Sequence, residues 1–238
     1  MKKCGRCLLI CALVLAIAVI FLNFEVTTLQ GVNYKVHAVK MPLYLKILDF
    51  YDRHYNYKNL VNKIVDRNDT GAERAIKLLQ WTHDNIKENP KELPVVDDHV
   101  WYTIVRGYAT GEQFSDVFTT LCNYAGIKAF FNIAYNKDRT SGIFLSFLKV
   151  DGRWTAVDAY NAVYFEEAPG KLAGIGSLKR GNYLKKALDR DVHRGIDYND
   201  YLSNLKEVNN SEMTRPNIQS PFNRFIFQVK KQLGYERP

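Results

Sequence analysis

The chain has few cysteines, and their positions exclude a disulfide framework. Three of the four, Cys4, Cys7 and Cys11, lie within the first eleven residues, which leaves Cys122 alone in the remainder of the 238-residue chain. A lone thiol cannot close an intrachain disulfide, so the rest of the chain must be stabilised by packing. Cys4 and Cys7 have the spacing of a redox pair, but no strand–helix–strand pattern surrounds them, so we expect no redox site.

Several binding motifs are also absent. There is no phosphate-binding loop, no zinc-ligand spacing and no stripe of basic and aromatic residues, so we expect no nucleic-acid partner. Asp97, Asp98 and His99 are adjacent, but no fourth ligand is spaced to complete a metal site, and we expect neither a metal nor a cofactor. Without Lys2, Lys3 and Arg6 the formal net charge falls from +8 to +5, and because these remaining charges are dispersed they favour solubility over an anionic lipid or glycan partner.

The chain has one long apolar run. Residues 7–22 are sixteen consecutive apolar residues behind Lys2, Lys3 and Arg6, and Phe24 extends the run to eighteen. No small-residue cleavage site follows, which favours a retained anchor over a cleaved signal peptide, although the cleaved alternative stays open. We therefore predict a single-pass anchor over residues 1–24 that contacts the membrane. Its N-terminus would be cytoplasmic, and the main domain would lie outside the cytoplasm.

The hydrophobic period changes once along the remainder of the chain. Helical spacing comes first, followed by alternation with a period of two, and this order predicts an α+β domain. Helices are expected over 42–57, 58–65, 71–86, 99–107 and 112–124, and strands over 127–135, 142–150, 154–158 and 160–166. We predict a helical membrane-proximal segment over 25–69, a core over 70–168 and a mixed helical extension over 169–238. The extension would hold helical pieces near 177–188 and 199–205 and an amphipathic end at 222–233.

Four short segments occur in a recognisable order. They are Trp81-Thr-His-Asp-Asn-Ile86, Arg106-Gly-Tyr108, a helix that ends in Ala125-Gly-Ile127, and Val150-Asp-Gly-Arg-Trp-Thr-Ala-Val-Asp-Ala159. In this order and spacing they resemble the transglutaminase-like domain, which shares the papain-type α+β core. The resemblance implies N-terminal helices and a nucleophile-type helix packed on an antiparallel sheet.

The same resemblance implies where a catalytic triad would stand. In that family a cysteine at the helix N-terminus attacks an amide carbonyl, a histidine on the next long strand acts as base, and an aspartate on the following strand orients the histidine. Counted from the matching segments, these positions are Gly111, Ile143 and Asp158. Because only the aspartate is retained, we expect no catalytic residues.

A displaced nucleophile is not expected either. Cys122 lies eleven residues beyond Gly111, or about 16 Å further along a helix, so it is out of reach of the helix N-terminus and should be a buried apolar residue. Thr110 and Gln113 should form a capping box, and Ile143 should be buried close to Gly111.

The sequence therefore predicts a non-catalytic binding or scaffolding protein of the cell envelope, with a protein or a glycan as partner. It does not indicate an oligomeric state. The alternative is an active hydrolase or acyltransferase that uses His83, His99 or Ser115 around Asp158.

Overall fold

The chain divides into two compact units, Met1–His54 and Tyr55–Pro238. A computed structural model describes residues 2–32, 35–90, 99–188 and 195–208, with short stretches at 226–227, 229–230 and 233–235. Most of the amphipathic end predicted at 222–233 lies outside these residues, as do Asp97 and Asp98.

The first unit begins with a helix and a β-hairpin. Helix α1 (Lys2–Leu22) is followed by antiparallel strands β1 (Glu25–Val32) and β2 (Lys35–Pro42), and helix α2 (Leu43–Ile64) begins in this unit. The prediction of a helical segment over 25–69 is therefore wrong for 25–42. β-Branched residues such as Val26, Thr27 and Thr28 explain the difference, because they pack well on a pleated strand.

The structure corrects the prediction of a membrane anchor at the N-terminus. Within the part of the chain that the structure describes, no helix is long and apolar enough to cross a membrane. The helix ends at Leu22, and Asn23 forms a turn, so Phe24 does not extend it. Its sixteen-residue apolar part spans about 24 Å, whereas a bilayer core is about 30 Å thick. The predictions of a transmembrane helix over 1–24 and of a single-pass membrane protein are therefore wrong.

The helices of the second unit follow the predicted order. Helix α3 (Gly71–Asn85) starts at a capping box formed by Thr70 and Glu73. Short strand β3 (Lys87–Glu88) pairs in parallel with β4 (Tyr108–Ala109), and α4 (Val100–Arg106) lies between them in the chain. Helix α5 (Gly111–Tyr124) follows, and Gly126 just beyond it has a φ of +82°, which is a usual glycine conformation after a helix.

The strands form two small antiparallel sheets. The first contains β5 (Lys128–Tyr135), β6 (Gly142–Val150) and β7 (Arg153–Val157) in that order, and Asp151 and Gly152 form the predicted tight turn with φ values of 49° and 76°. The second contains β10 (Leu184–Ala187), β8 (Val163–Ala168) and β9 (Lys171–Leu172).

Two short helices complete the described chain, α6 (Ile175–Lys179) and α7 (Tyr198–Leu202). The helix predicted near 177–188 is therefore wrong beyond Lys179, because residues 184–187 pair with β8 instead. The α+β class is confirmed.

The sheet β5–β6–β7 separates two hydrophobic clusters of the second unit. The first cluster joins the helices to one sheet face, which carries Ala129, Leu148 and Val157. The second cluster joins the opposite face to β8, α6 and α7, and its sheet residues include Phe130, Leu145, Phe147 and Ala156. Because side chains alternate along a strand, each residue of β6 belongs to one layer or the other.

Candidate functional site

The start of α5 occupies the position at which the resemblance places a nucleophile. Thr110 is the N-cap residue in an extended conformation, and Gly111 is the first helical residue. One half of the predicted capping box is observed: Oε1 of Gln113 accepts from the N–H of Thr110 at 3.1 Å and from Nη2 of Arg106 at 3.0 Å, whereas the N–H of Gln113 donates to the carbonyl oxygen of Thr110 at 2.9 Å. The sequence therefore folds this helix start around a cap that does not need a side chain at position 111.

A side chain at position 111 would contact the ring of Tyr160. A Cβ atom built on Gly111 lies 3.9 Å from Cγ and 4.0 Å from Cδ1 of Tyr160, which are ordinary contacts, and no other atom of the described residues is within 4 Å apart from the chain neighbours and the helix backbone. Tyr160 also donates a hydrogen bond from Oη to Oε1 of Glu88 at 2.7 Å. The position at which the resemblance places a nucleophile is therefore bordered by a tyrosine.

Ile143 lies on β6, opposite Ala134 of β5. It is half-buried and packs against the second cluster, whereas the apolar residues of α5 belong to the first cluster. The predicted close packing of Ile143 and Gly111 is therefore not observed. The reason is strand alternation: Ile143 shares a sheet face with Leu145 and Phe147, and that face packs against β8, α6 and α7.

Asp158 is a buried residue at the end of β7, with 1% of its surface exposed. Its N–H and C=O both bond to Val163, at 2.8 and 2.9 Å, and this pairing closes a turn. Within the turn, Oδ1 accepts from the N–H of Asn161 at 3.0 Å, and Oδ2 accepts from Nδ2 of Asn161 at 2.7 Å. Aspartate side chains often stabilise turns in this way, by accepting from the backbone a few residues later.

A third donor reaches Asp158 from α7. Oη of Tyr198 donates to Oδ2 at 2.8 Å, and Tyr198 is itself buried, with a ring 5.2 Å from that of Phe165. In the family the aspartate orients a histidine; here its carboxyl group is bonded to an amide and a phenol. The retained acid therefore belongs to a buried polar network.

Burial determines the electrostatics of this network. It raises the pKa of Asp158, although the hydrogen bonds from Asn161 and Tyr198 partly oppose that effect. It also raises the pKa of Tyr198, and the negative charge of Asp158 raises it further. Tyr198 therefore stays protonated and remains a donor.

The structure places the other candidate residues in separate surroundings. Ser115 is fully buried in α5, and no hydrogen-bond partner of its hydroxyl is found among the described residues. His83 lies on α3, and His99 is the N-cap of α4, where Nδ1 accepts from the N–H of Trp101 at 3.2 Å. Cys122 is buried on α5 as predicted, and burial raises the pKa of its thiol. The structure shows no bond from any of these four residues to Asp158.

Sequence reasoning missed Asn161 and Tyr198. The segment Asp158-Ala-Tyr-Asn161 carries a local signal, since an aspartate followed three residues later by a polar residue is typical of a turn. Tyr198 has no such signal, because forty residues separate it from Asp158.

The comparisons with known proteins agree with the resemblance noted in the sequence. Residues 58–170 match the family model of the transglutaminase-like superfamily. The search of the curated proteins found no match.

Three solved structures are similar to part of the chain. A candidate protease from Parabacteroides distasonis is 12% identical, with a TM-score of 0.36 over 56% of this chain and 35% of that one. A candidate cysteine protease from Cytophaga hutchinsonii is 15% identical, with a TM-score of 0.39 over 60% of this chain and 46% of that one. A TGase is 12% identical, with a TM-score of 0.37 over 56% of this chain and 43% of that one. The chain thus spans less than half the length of each.

Proposed function

We propose that this chain, of which residues 58–170 match the family model of the transglutaminase-like superfamily, is a non-catalytic member of that group, which binds or scaffolds a partner and does not cleave or join amides. One observation carries the proposal. The carboxyl group of Asp158 is buried and accepts hydrogen bonds from Asn161 and Tyr198, so it has a structural use that needs no histidine.

The chemistry of the family supports this interpretation. Acyl transfer through a thiol needs a thiolate that attacks the carbonyl carbon and a base that takes the thiol proton and later returns it to the leaving amine. Glycine at 111 and isoleucine at 143 provide neither group. A helix N-terminus can lower the pKa of a thiol, but at this helix start there is no thiol to act upon.

The substitute residues considered for an active enzyme are poorly placed. The hydroxyl of Ser115 is fully buried, and Nδ1 of His99 already accepts from the backbone of its own helix. A nucleophile needs a base within hydrogen-bond reach and access to the substrate. Ser115 has neither a bonded base nor exposure.

Two assays test the proposal. The purified chain is incubated with casein to detect peptide release, and with dimethylcasein and dansylcadaverine to detect amide exchange. We expect rates equal to those of the Ser115→Ala and His83→Ala variants and of buffer alone. Turnover by the unmodified chain that is lost in Ser115→Ala or in Asp158→Ala, with each variant shown by thermal melting to be folded, would overturn the proposal.

A further inference from the structure

A surface cavity lies at the junction of β7 and α6. Its volume is about 460 Å³, and its lining includes Arg153, Trp154, the segment 174–176, Arg180 and Val208. Ligand sites of this size are common in proteins. None of the positions Gly111, Ile143 and Asp158 lines the cavity, so what it binds is independent of whether the domain catalyses a reaction.

Two glycines allow two guanidinium groups to lie against one short segment of backbone. A Cβ atom built on Gly174 would lie 3.8 Å from Nη1 of Arg153, and one built on Gly176 would lie 3.6 Å from Nη1 of Arg180. Both cationic groups therefore approach residues 174–176 from the cavity side.

The two arginines differ in how they are held. Nη1 of Arg153 is bonded at 2.9 Å to Oε1 of Glu167, whose carboxylate also pairs with Lys171 at 2.8 Å and accepts from Oγ of Ser177 at 3.1 Å. The hydrogen bonds from Lys171 and Arg153 lower the pKa of Glu167 to about 2, so this anchor stays ionised. Arg153 is thus fixed in orientation by a carboxylate that it shares with Lys171.

Arg180 has no such anchor. Its guanidinium has no hydrogen bond or ion pair with any residue that the structure describes, and its side chain is exposed at the cavity. A planar guanidinium recognises a carboxylate or a phosphate through two parallel hydrogen bonds. Arg180 is therefore the arginine of the cavity whose guanidinium is available to an anionic ligand.

The rest of the lining restricts the anion. Trp154, Ile175 and Val208 provide an apolar wall, and most of the exposed lining surface is apolar, so the ligand should carry an apolar or aromatic group. Glu207 also lines the cavity, and its negative charge disfavours a second charge on the ligand. We infer that this cavity binds a small monocarboxylate with an apolar or aromatic body.

The test uses three matched probes and the full chain labelled with ¹⁵N. N-Acetyl-L-tryptophan supplies one carboxylate and an indole, N-acetyl-L-tryptophanamide lacks the charge, and phenyl phosphate carries close to two charges. We expect the carboxylate to shift the backbone resonances of Gly174 and Gly176 and to bind at least about tenfold more tightly than the amide, because the amide cannot form a charge-assisted pair with Arg180. Phenyl phosphate should bind more weakly than the carboxylate.

Three variants assign the effect to named side chains. Arg180→Gln should weaken binding of N-acetyl-L-tryptophan about tenfold, whereas Lys179→Gln, which removes the same charge from the adjacent exposed position outside the lining, should change it less than about twofold. Glu207→Gln should tighten it about two- to fivefold, because a nearby like charge is removed.

Equal binding of the acid and the amide, tighter binding of phenyl phosphate, or no shift at 10 mM acid would each overturn the inference. So would equal losses in Arg180→Gln and Lys179→Gln. Because binding is measured directly, a negative result leaves the proposal of a non-catalytic domain untouched, and enzymatic turnover would not affect the inference.

Discussion

At the scale of single residues, Asp158 has a structural use in a buried polar network. Asp158 accepts from two groups of Asn161 and from Oη of Tyr198, while it is almost completely removed from solvent. A buried carboxylate is costly unless its oxygens are hydrogen-bonded. Tyr198 and Asn161 are therefore as important to the stability of this site as Asp158.

Removing the hydroxyl of Tyr198 should show how much its hydrogen bond to Asp158 contributes to the free energy of unfolding. The Tyr198→Phe variant is expected to lose about 1–3 kcal/mol of unfolding free energy, with a larger loss at pH 8 than at pH 4, because a bond to a charged group contributes more than one to a neutral group. Urea unfolding at both pH values measures the loss.

The sign of this pH dependence follows from the pKa of Asp158, which is raised mainly by burial. A raised folded-state pKa means that the contribution to stability is complete below the unfolded pKa and is lost as the pH rises through the folded one. Losing the Tyr198 donor raises the pKa of Asp158 further, so the variant loses more unfolding free energy at high pH than at low pH.

The control is Tyr201→Phe, whose hydroxyl bonds to Ser141 at the surface, and it should change stability by less than about 0.5 kcal/mol at either pH. A loss in Tyr198→Phe that does not change with pH would contradict this account.

The thiol of Cys122 gives a second test at this scale. It is fully buried, and burial raises its pKa, so the reactive thiolate is scarce in the folded protein. In a variant in which Cys4, Cys7 and Cys11 are replaced by serine, labelling with Ellman's reagent at pH 8 should be on the order of a hundredfold slower than in denaturant. Fast labelling of the folded variant would show that Cys122 is accessible and reactive, contrary to its position in the structure.

At the scale of elements, helix α5 combines a polar start with an almost entirely buried body. Residues 113–122 are all buried, although they include Gln113, Ser115 and Asp116. The helix lies between the other helices and one sheet face. Its start and its end each carry a local signal. The hydrogen bond from the N–H of Thr110 to Gln113 marks the start, and Gly126 follows the end.

The two glycines that flank this helix should respond differently to alanine. Gly126 has a φ of +82°, so Gly126→Ala is expected to lose about 1 kcal/mol of unfolding free energy. Gly111 is helical, and its new Cβ would make ordinary contacts with Tyr160, so Gly111→Ala should be neutral or gain a few tenths of a kcal/mol. Thermal and urea unfolding compare the two. A larger loss at position 111 than at 126 would mean that Gly111 is required for the helix start.

At the scale of the whole molecule, the two hydrophobic clusters lie within the second unit. The earliest core residues along the chain are Tyr57 and Val61 on α2, and both belong to the first cluster. Tyr57 is also in ring contact with Trp101 and Tyr124, at centroid distances of 5.3 and 4.9 Å. The unit that begins at Tyr55 therefore contains its own core.

Truncation tests this independence. A chain that begins at Tyr55 should unfold cooperatively, with a melting temperature close to that of the full chain, as followed by circular dichroism. A chain that begins at residue 62 loses two core side chains and should be less stable by several kcal/mol. If both truncated chains melt alike, the assignment of Tyr57 and Val61 to the core is incorrect.

The sequence by itself determined the elements that depend on local chemistry. The bounds of α3, α5 and β6 follow from apolar periodicity, from the caps at Thr70 and Thr110, and from the turn at Asp151-Gly152, all of which act between residues close in the chain. The order of the matched segments likewise showed the resemblance to the transglutaminase-like superfamily, whose family model matches residues 58–170. The apolar run at the N-terminus was visible too, but its composition did not reveal that the helix ends at Leu22.

Only the tertiary structure decided which elements pack on each face of the sheet β5–β6–β7. Alternation along β6 indicates that Ile143, Leu145 and Phe147 lie together, but it does not say that α7 packs over them while α5 packs on the opposite face. The partner of Asp158 could not be predicted for the same reason, since Tyr198 reaches it from forty residues away. A periodic pattern records whether a side chain is buried, whereas the identity of its neighbour depends on how distant elements pack.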